Sequence, residues 1–304
     1  MPKICYRAKK FSADRLDLIN KANVIIEEYR QQGFELTLRQ LYYQFVSRDF
    51  IPNNMRSYKN LGDVINDARL AGLIDWEAIV DRTRDLKSLA HWTNPAEIVE
   101  ACARQFRIDK WADQPYRVEC WIEKDALVGV IEGVCNELDV PYFSCRGYTS
   151  QSEMWAAAMR LKDYYRKSQM PIVLHFGDHD PSGKDMTRDI TDRLCEFSGI
   201  NVEVRRMALN MDQITQYDPP PNPAKMTDSR AEDYVAEFGH ESWELDALEP
   251  AVIGQLIRDE VDVIRNAGLW SLKCEEEANH RKNLTLVSNN WANIVAKAVK
   301  ETNE

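Results

Sequence analysis

The spacing of apolar and polar positions divides the chain into three regimes. From Ser12 to Arg30, apolar residues fall at Leu16, Ile19, Ala22, Val24, Ile25 and Ile26, close to a 3.6-residue period. That predicts a helix with Ser12 as N-cap and Gly33 as its stop. Thr37 is placed to cap a second helix, Leu38–Val46, and Ser57 to open a third over roughly Tyr58–Ala71, ended by Gly72. Extended pieces follow near Ile74–Trp76 and Val80–Arg82. Three helices and then a short hairpin is the order of a winged helix-turn-helix, a module that reads DNA or docks proteins.

The middle of the chain alternates differently. Strand-like runs at Val118–Ile122, Pro141–Cys145, Pro171–Phe176 and Val202–Met207 are separated by helical patterns at Ala126–Leu138, Ser152–Tyr165 and Lys184–Phe197. This order predicts a small parallel sheet with helices on its faces, hence an α/β fold. Residues just past the carboxyl ends of such strands are where function gathers. Tyr217–Arg230, with prolines at 219, 220, 221 and 223, reads as a loop. From about Glu241 the pattern is mostly helical. The polar stretch Asp109–Pro115 suggests a boundary, giving an N-terminal domain over 1–112 and a second over 113–304 with a helical C-terminal part.

Composition adds limits. The chain has 304 residues, 44% hydrophobic and 29% charged, which suits a globular protein with a sizeable core. No apolar run approaches the roughly 18 residues of a membrane span, and the start lacks an apolar signal region, so a cytoplasmic protein is expected. The seven cysteines form no C-x-x-C and are not spaced with the five histidines as zinc ligands; free thiols in a reducing compartment are the simplest reading. The net charge of −10 argues against a purely electrostatic nucleic-acid binder. It is unevenly spread: residues 1–90 hold 15 Lys and Arg against 12 Asp and Glu, leaving 24 against 37 in the rest.

The acids at the strand ends carry the candidate chemistry. The first strand ends at Glu123, and the third runs into Gly177-Asp178-His179-Asp180-Pro181-Ser182-Gly183. In a parallel sheet both ends open on one edge, so Glu123, Asp178 and Asp180 can converge there. Hard carboxylates without thiol or paired imidazole suit Mg²⁺, which can polarise a phosphoryl oxygen. A phosphate-binding Gly-x-x-x-x-Gly-Lys-Ser/Thr loop fits less well. Gly177 and Gly183 are one residue too far apart, and Asp185 stands where the hydroxyl belongs. A phosphatase of the haloacid dehalogenase type also fits less well, because Ser182 stands at its Thr/Val position.

Glu123-Lys124-Asp125-Ala126 after one strand, Gly147 after the next and Asp178-x-Asp180-Pro181-x-Gly183 after the third resemble a Toprim domain. They are most similar to the topoisomerase VI A subunit and its meiotic double-strand-break relatives. Those proteins place a winged helix before Toprim, with a tyrosine in Arg-x-x-x-Tyr; here Arg39 and Tyr43 are four apart and share a helix face. Leu61, Ala68-Arg69, Gly72 and Asp81-Arg82-Thr83-Arg84 resemble the later helix and wing. The likeness covers roughly residues 35–210, with a weaker echo at Trp243–Leu248.

The resemblance implies a Mg²⁺-dependent enzyme acting on double-stranded DNA. Tyr43 would attack a phosphodiester, form a 5′-phosphotyrosyl bond and release a 3′-hydroxyl. Arg39 and Glu123 would be catalytic with Tyr43, and Glu123, Asp178 and Asp180 would hold the metal. Arg69, Arg84 and Lys124 are the candidate DNA contacts, with solvated or ion-paired roles as the alternatives. It also implies a homodimer, in which the tyrosine of one protomer works with the metal of the other, and a separate ATPase subunit. Tyr42 is assigned to the core, His179 to solvent, Asp125 to a helix N-cap, and Lys225 and Arg230 to DNA or solvent. A hydrolytic Toprim nuclease with a structural Tyr43, and a non-catalytic DNA-binding or docking subunit, stay open beside the transesterase.

Overall fold

A computed structural model describes residues 3–80 and 89–302. Helix α1 spans Ala13–Gln31, with the Ser12 hydroxyl accepting from the Arg15 amide. Helix α2, Leu38–Ser47, opens on a capping box in which Thr37 and Gln40 satisfy each other's backbone amides. Helix α3 covers Met55–Leu70 and starts earlier than Ser57, because the Asn54 side chain takes the Ser57 amide as its cap at 2.9 Å. The three bury one apolar cluster that includes Ile19, Ile25, Leu41, Phe45, Leu61 and Ile65.

The hairpin expected after α3 is not formed at Ile74–Trp76. The Asp75 carboxylate accepts the Glu77 amide at 3.0 Å, folding the segment into a turn, and also takes Arg30 at 2.7 Å. Single bridges join Cys5 to Ala71 and Leu36 to Ile79. Residues 81 and 82 lie outside the described residues, as does Arg84.

After helix α4, Pro95–Gln105, come β1 (Tyr116–Ile122), a 3-10 turn at Asp125–Leu127, α5 (Val128–Glu137), β2 (Tyr142–Ser144), α6 (Gln151–Arg166), β3 (Met170–Phe176), α7 (Pro181–Ser198) and β4 (Glu203–Ala208). The four strands form a parallel sheet in the order β2-β1-β3-β4. Strands β1 and β3 are nearly all buried, as strands covered on both faces must be. Trp121, Met154, Leu161, Val173, Ile190 and Leu194 share a second core under α6 and α7. The chain order turns back between β1 and β3, so their carboxyl ends lie side by side, with the Glu123 amide donating to the Phe176 carbonyl at 2.8 Å.

Helix α8 spans Met211–Tyr217. In the proline loop, two residues do take regular structure: β5, Asn222–Pro223, pairs antiparallel with β6, Glu241–Ser242, across helix α9, Ala231–Phe238. Proline is tolerated there because the ribbon is only two strands wide. A 3-10 turn at Leu245–Ala247 leads to α10 (Pro250–Ile264), α11 (Ala267–Asn289) and α12 (Trp291–Thr302).

The chain forms two compact units, each discontinuous in sequence. One joins residues 1–84 to 118–261 and so holds both the helical cluster and the sheet. The other joins residues 85–117 to 262–304, whereas the sequence reading divides the chain at 112/113. In this second unit α4 packs on α11; Lys110 pairs with Glu277 at 3.1 Å, and the buried Trp111 meets Trp270 edge to face. None of the described cysteines is in a disulfide; Cys120, Cys135 and Cys145 are buried. Among the described residues no helix is long and apolar enough to cross a membrane.

Candidate active site at the carboxyl edge of the sheet

The loop after β3 is shaped by four groups. Asp180 is the N-cap of α7: its Oδ1 accepts the Gly183 amide at 2.7 Å and the Ser182 hydroxyl at 3.0 Å. Gly183 lies so close beneath Asp178 that a Cβ would stand 2.3 Å from the Asp178 carbonyl oxygen, so only glycine fits. Glu123, at the end of β1, accepts the Asp178 amide on Oε2 at 2.8 Å. Arg206, on β4, donates to the carbonyls of Gly183 (2.8 Å), Asp178 (2.5 Å), Gly177 (3.2 Å) and Leu209 (3.3 Å). Its burial brings the guanidinium down to about 10, although Glu123, Asp178 and Asp180 favour the charge.

Beside this loop the charges are interleaved. The Lys124 ammonium lies 2.9 Å from Asp178 Oδ2, 2.9 Å from Glu244 Oε2 and 3.6 Å from Asp246 Oδ1. Asp178 Oδ1 accepts the Leu245 amide at 2.8 Å. Arg39 reaches the same acids from α2, with Nη2 on Glu244 and Nε on Asp246 Oδ2 at 2.7 Å. Tyr43, one turn along α2, lines the same cavity as Glu244 and feels its charge, and the Arg39 guanidinium lies 5.8 Å from its ring centre. One acidic segment, Glu244-Leu245-Asp246, therefore ties Arg39 to the sheet edge, with Tyr43 beside it.

The electrostatics follow from burial and neighbours. Burial and the adjacent Asp178 push the Glu123 carboxyl up to about 7. Burial also raises Asp178, against the pull of Lys124. For Glu244 burial works upward, but Lys124 and Arg39 outweigh it and hold the carboxyl down at about 2. Lys124 is raised well above the lysine range because Asp178, Asp246 and Glu244 overcome its burial. Burial, and then the Glu244 charge, push the Tyr43 phenol above its ordinary value, with Arg39 and Lys124 only partly opposing.

The acids offer hard oxygen donors of the kind Mg²⁺ takes. Yet among the described residues no three acidic, histidine or cysteine side chains meet at one point as a ready ligand set. Lys124 stands among the acids, and Asp180 spends Oδ1 on its helix. The donor chemistry fits the ion; the ammonium competes for it.

The structure brings Arg39, Lys124 and Asp178 into one bonded network, joined to Glu123 through the Asp178 backbone amide, with the Tyr43 ring beside Arg39. Tyr42 is buried, with its hydroxyl on Asn53 Oδ1 at 2.9 Å. Arg69 turns inward, donating to the Trp76 and Ile79 carbonyls and stacking on the Trp76 ring. Arg84 lies outside the described residues. Lys124 faces carboxylates. His179 is not solvated: it is fully buried among Tyr234, Phe238 and Trp243, with Nδ1 2.8 Å from the Tyr234 hydroxyl and its imidazole brought down to about 4 by burial. The backbone pairing of His179 with Trp243 draws it inward. Asp125 makes no cap and pairs instead with the exposed Arg146 at 3.1 Å. Arg230 is engaged by Asp228 and Asp185, while Lys225 lies exposed, 3.9 Å from Asp180. Sequence reasoning missed Arg206, Glu244 and Asp246 as site residues. The available signals were a second consecutive arginine on a strand and an Glu-x-Asp pair outside any helix.

No protein-family model matches the chain, and no curated protein sequence matches it.

Proposed function

We propose that this chain is a winged-helix and Toprim protein that cleaves double-stranded DNA in a Mg²⁺-dependent reaction, with Tyr43 as nucleophile. The observation that carries the reading is the linkage of Arg39, with Tyr43 beside it, through Glu244 and Asp246, to Lys124 and Asp178 beside Glu123 at the sheet edge. A phosphodiester entering this site would meet Arg39 once the guanidinium exchanges a carboxylate for a phosphate oxygen. The Tyr43 oxygen would then bond to phosphorus as the bond from phosphorus to the 3′-oxygen breaks. The phenol proton would pass to the neighbouring Glu244 carboxylate, and the released 3′-oxygen would take a proton from water. Mg²⁺ held by Glu123, Asp178 and Asp180 would polarise the phosphoryl group and stabilise the leaving oxygen. Two protomers acting on offset phosphates would break both strands, and a separate ATPase subunit is the expected partner for strand capture.

A second reading is hydrolysis, with Tyr43 structural. It is favoured by the burial of Tyr43 and by the raised phenol, which is a weaker nucleophile in this arrangement than a free tyrosine. The deciding experiment incubates supercoiled plasmid with the protein and Mg²⁺, stops in SDS, and compares gels with and without proteinase K. Linear DNA released only after proteolysis, and lost in Tyr43→Phe, supports transesterification. Protein-free ends that persist in Tyr43→Phe establish hydrolysis. Absence of cutting in any metal refutes cleavage by the chain alone and leaves the partner-dependent transesterase and the non-catalytic binding subunit standing.

A further inference from the structure

A cavity of about 290 Å³ opens beside Tyr43, within the same compact unit. Tyr42, Tyr43 and Tyr58 line it together with Asn54, Asn222 and the ion-paired Arg39 and Glu244. The size lies at the bottom of the range for small-molecule pockets, suiting one small planar group. The Tyr42 ring stands edge-on to both Tyr43 and Tyr58, at 5.3 Å from each, so the tyrosines are fixed as a corner.

The hydrogen bonds determine what the amides can offer. The Pro221 carbonyl can only accept, so the Asn53 group facing it at 3.1 Å is the nitrogen. The same nitrogen donates to Asn222 at 2.7 Å, which fixes the Asn222 oxygen on that side. The Asn222 nitrogen makes no hydrogen bond among the described residues. Asn54 likewise spends its oxygen on the Ser57 amide as the cap of α3, and its nitrogen makes none among the described residues. Aromatic walls with amide donors at the edge match a ring that carries carbonyl or ring-nitrogen acceptors.

We infer that this pocket receives one unstacked nucleobase of the DNA strand, from a nucleotide next to the phosphate that Tyr43 would attack. This rests on the DNA-cleaving reading and adds to it a demand for local unpairing. A base in the pocket would hold its own phosphate at a fixed distance from Arg39 and Tyr43. Every base has a face to stack and an acceptor to offer, so the pocket selects for unpairing more than for sequence.

The test is fluorescence anisotropy with a labelled matched duplex and the same duplex carrying one T·T mismatch, with Ca²⁺ in place of Mg²⁺. A mismatch lowers the free energy needed to extrude the base, so the wild-type chain should bind the mismatched duplex about ten-fold more tightly. Asn222→Asp keeps an oxygen toward Asn53 and replaces the amide nitrogen, which makes no hydrogen bond among the described residues, with an acceptor. Tyr58→Ala removes one wall. Both should lose most of the preference while binding the matched duplex nearly as wild type does. Equal wild-type affinity for the two duplexes, or a preference intact in both variants, overturns the pocket and leaves DNA binding standing. Failure to bind either duplex overturns the DNA reading and the pocket with it.

Discussion

Replacing Lys124 by methionine tests whether the acids around it form one buried charge cluster. Methionine keeps the length of the stem and removes only the ammonium. In the wild type that ammonium lies 2.9 Å from Asp178 and 2.9 Å from Glu244, with Asp246 at 3.6 Å. At an effective dielectric of about 20, a 2.9 Å pair attracts by roughly 6 kcal/mol before desolvation is subtracted. Returning the ammonium to water recovers part of this, and breaking buried pairs from one side typically costs about 3–5 kcal/mol. Lys124→Met should therefore lose roughly 3–5 kcal/mol in urea unfolding at neutral pH. Asp178, which burial already raises, would lose the cation that pulls it down and would stand higher still in the folded state. Such a state binds more protons than the unfolded chain, so the deficit should shrink as the pH falls towards 4. Millimolar Mg²⁺ should restore part of the loss if the acids accept a metal where the ammonium stood. A loss below about 1 kcal/mol, the range of surface ion pairs, would refute the buried cluster. A full loss that Mg²⁺ does not relieve would refute the metal-binding role of the acids.

Other perturbations separate positioning from chemistry. Glu123→Gln should stabilise the metal-free chain at pH 8: ionising a carboxyl raised from 4.5 to about 7 costs roughly 3 kcal/mol, so wild-type stability falls as the pH rises through that window and the variant's does not; urea midpoints from pH 5 to 8 check it. Gly183→Ala should destabilise by about 3 kcal/mol or more, since its Cβ would lie 2.3 Å from the Asp178 carbonyl oxygen; thermal unfolding at the wild-type midpoint would show the steric argument wrong. Arg206→Lys should lose about 2–4 kcal/mol and abolish cleavage, because one ammonium cannot reach the carbonyls of Gly177, Asp178, Gly183 and Leu209 together; wild-type cleavage would free the loop geometry from Arg206.

Much of the scaffold was legible because local rules and tertiary packing agree along it. Ser12 and Thr37 cap the helices they precede, and the apolar runs ending at Ile122 and Phe176 become the two central strands. The parallel order alone places Glu123 and Asp178 on one edge. The turn at Asp75 was not legible from propensity, since it depends on a carboxylate choosing a backbone amide and Arg30, 45 positions away, over an extended ladder. His179 looked solvated because it stands between two aspartates. Its burial is decided by Tyr234, Phe238 and Trp243, more than fifty residues downstream, and no local pattern encodes that. The cap role of Asp180 was written locally, in Asp-Pro-x-Gly, but the metal reading of the same residues obscured it.

The least legible part of the site is its charge balance. Read from sequence, Arg39 activates Tyr43 by lying one turn away. In the folded chain that arginine is already claimed by Glu244 and Asp246, more than two hundred residues further on, and the Glu244 charge also acts on the phenol. The effect on Tyr43 is the reverse of the local expectation: the nearest cation lowers the phenol less than burial and the nearest anion raise it. Activation then requires a competitor for Arg39, and a phosphodiester is suited to that role because its two free oxygens match the guanidinium fork. Glu244→Gln makes the argument testable. It keeps the shape of the side chain and removes the charge, so the phenol should titrate lower by ultraviolet difference absorbance, and phosphate-containing ligands should bind more tightly at low salt. An unchanged phenol titration would mean that burial alone holds Tyr43, and the proposed exchange at Arg39 would lose its reason.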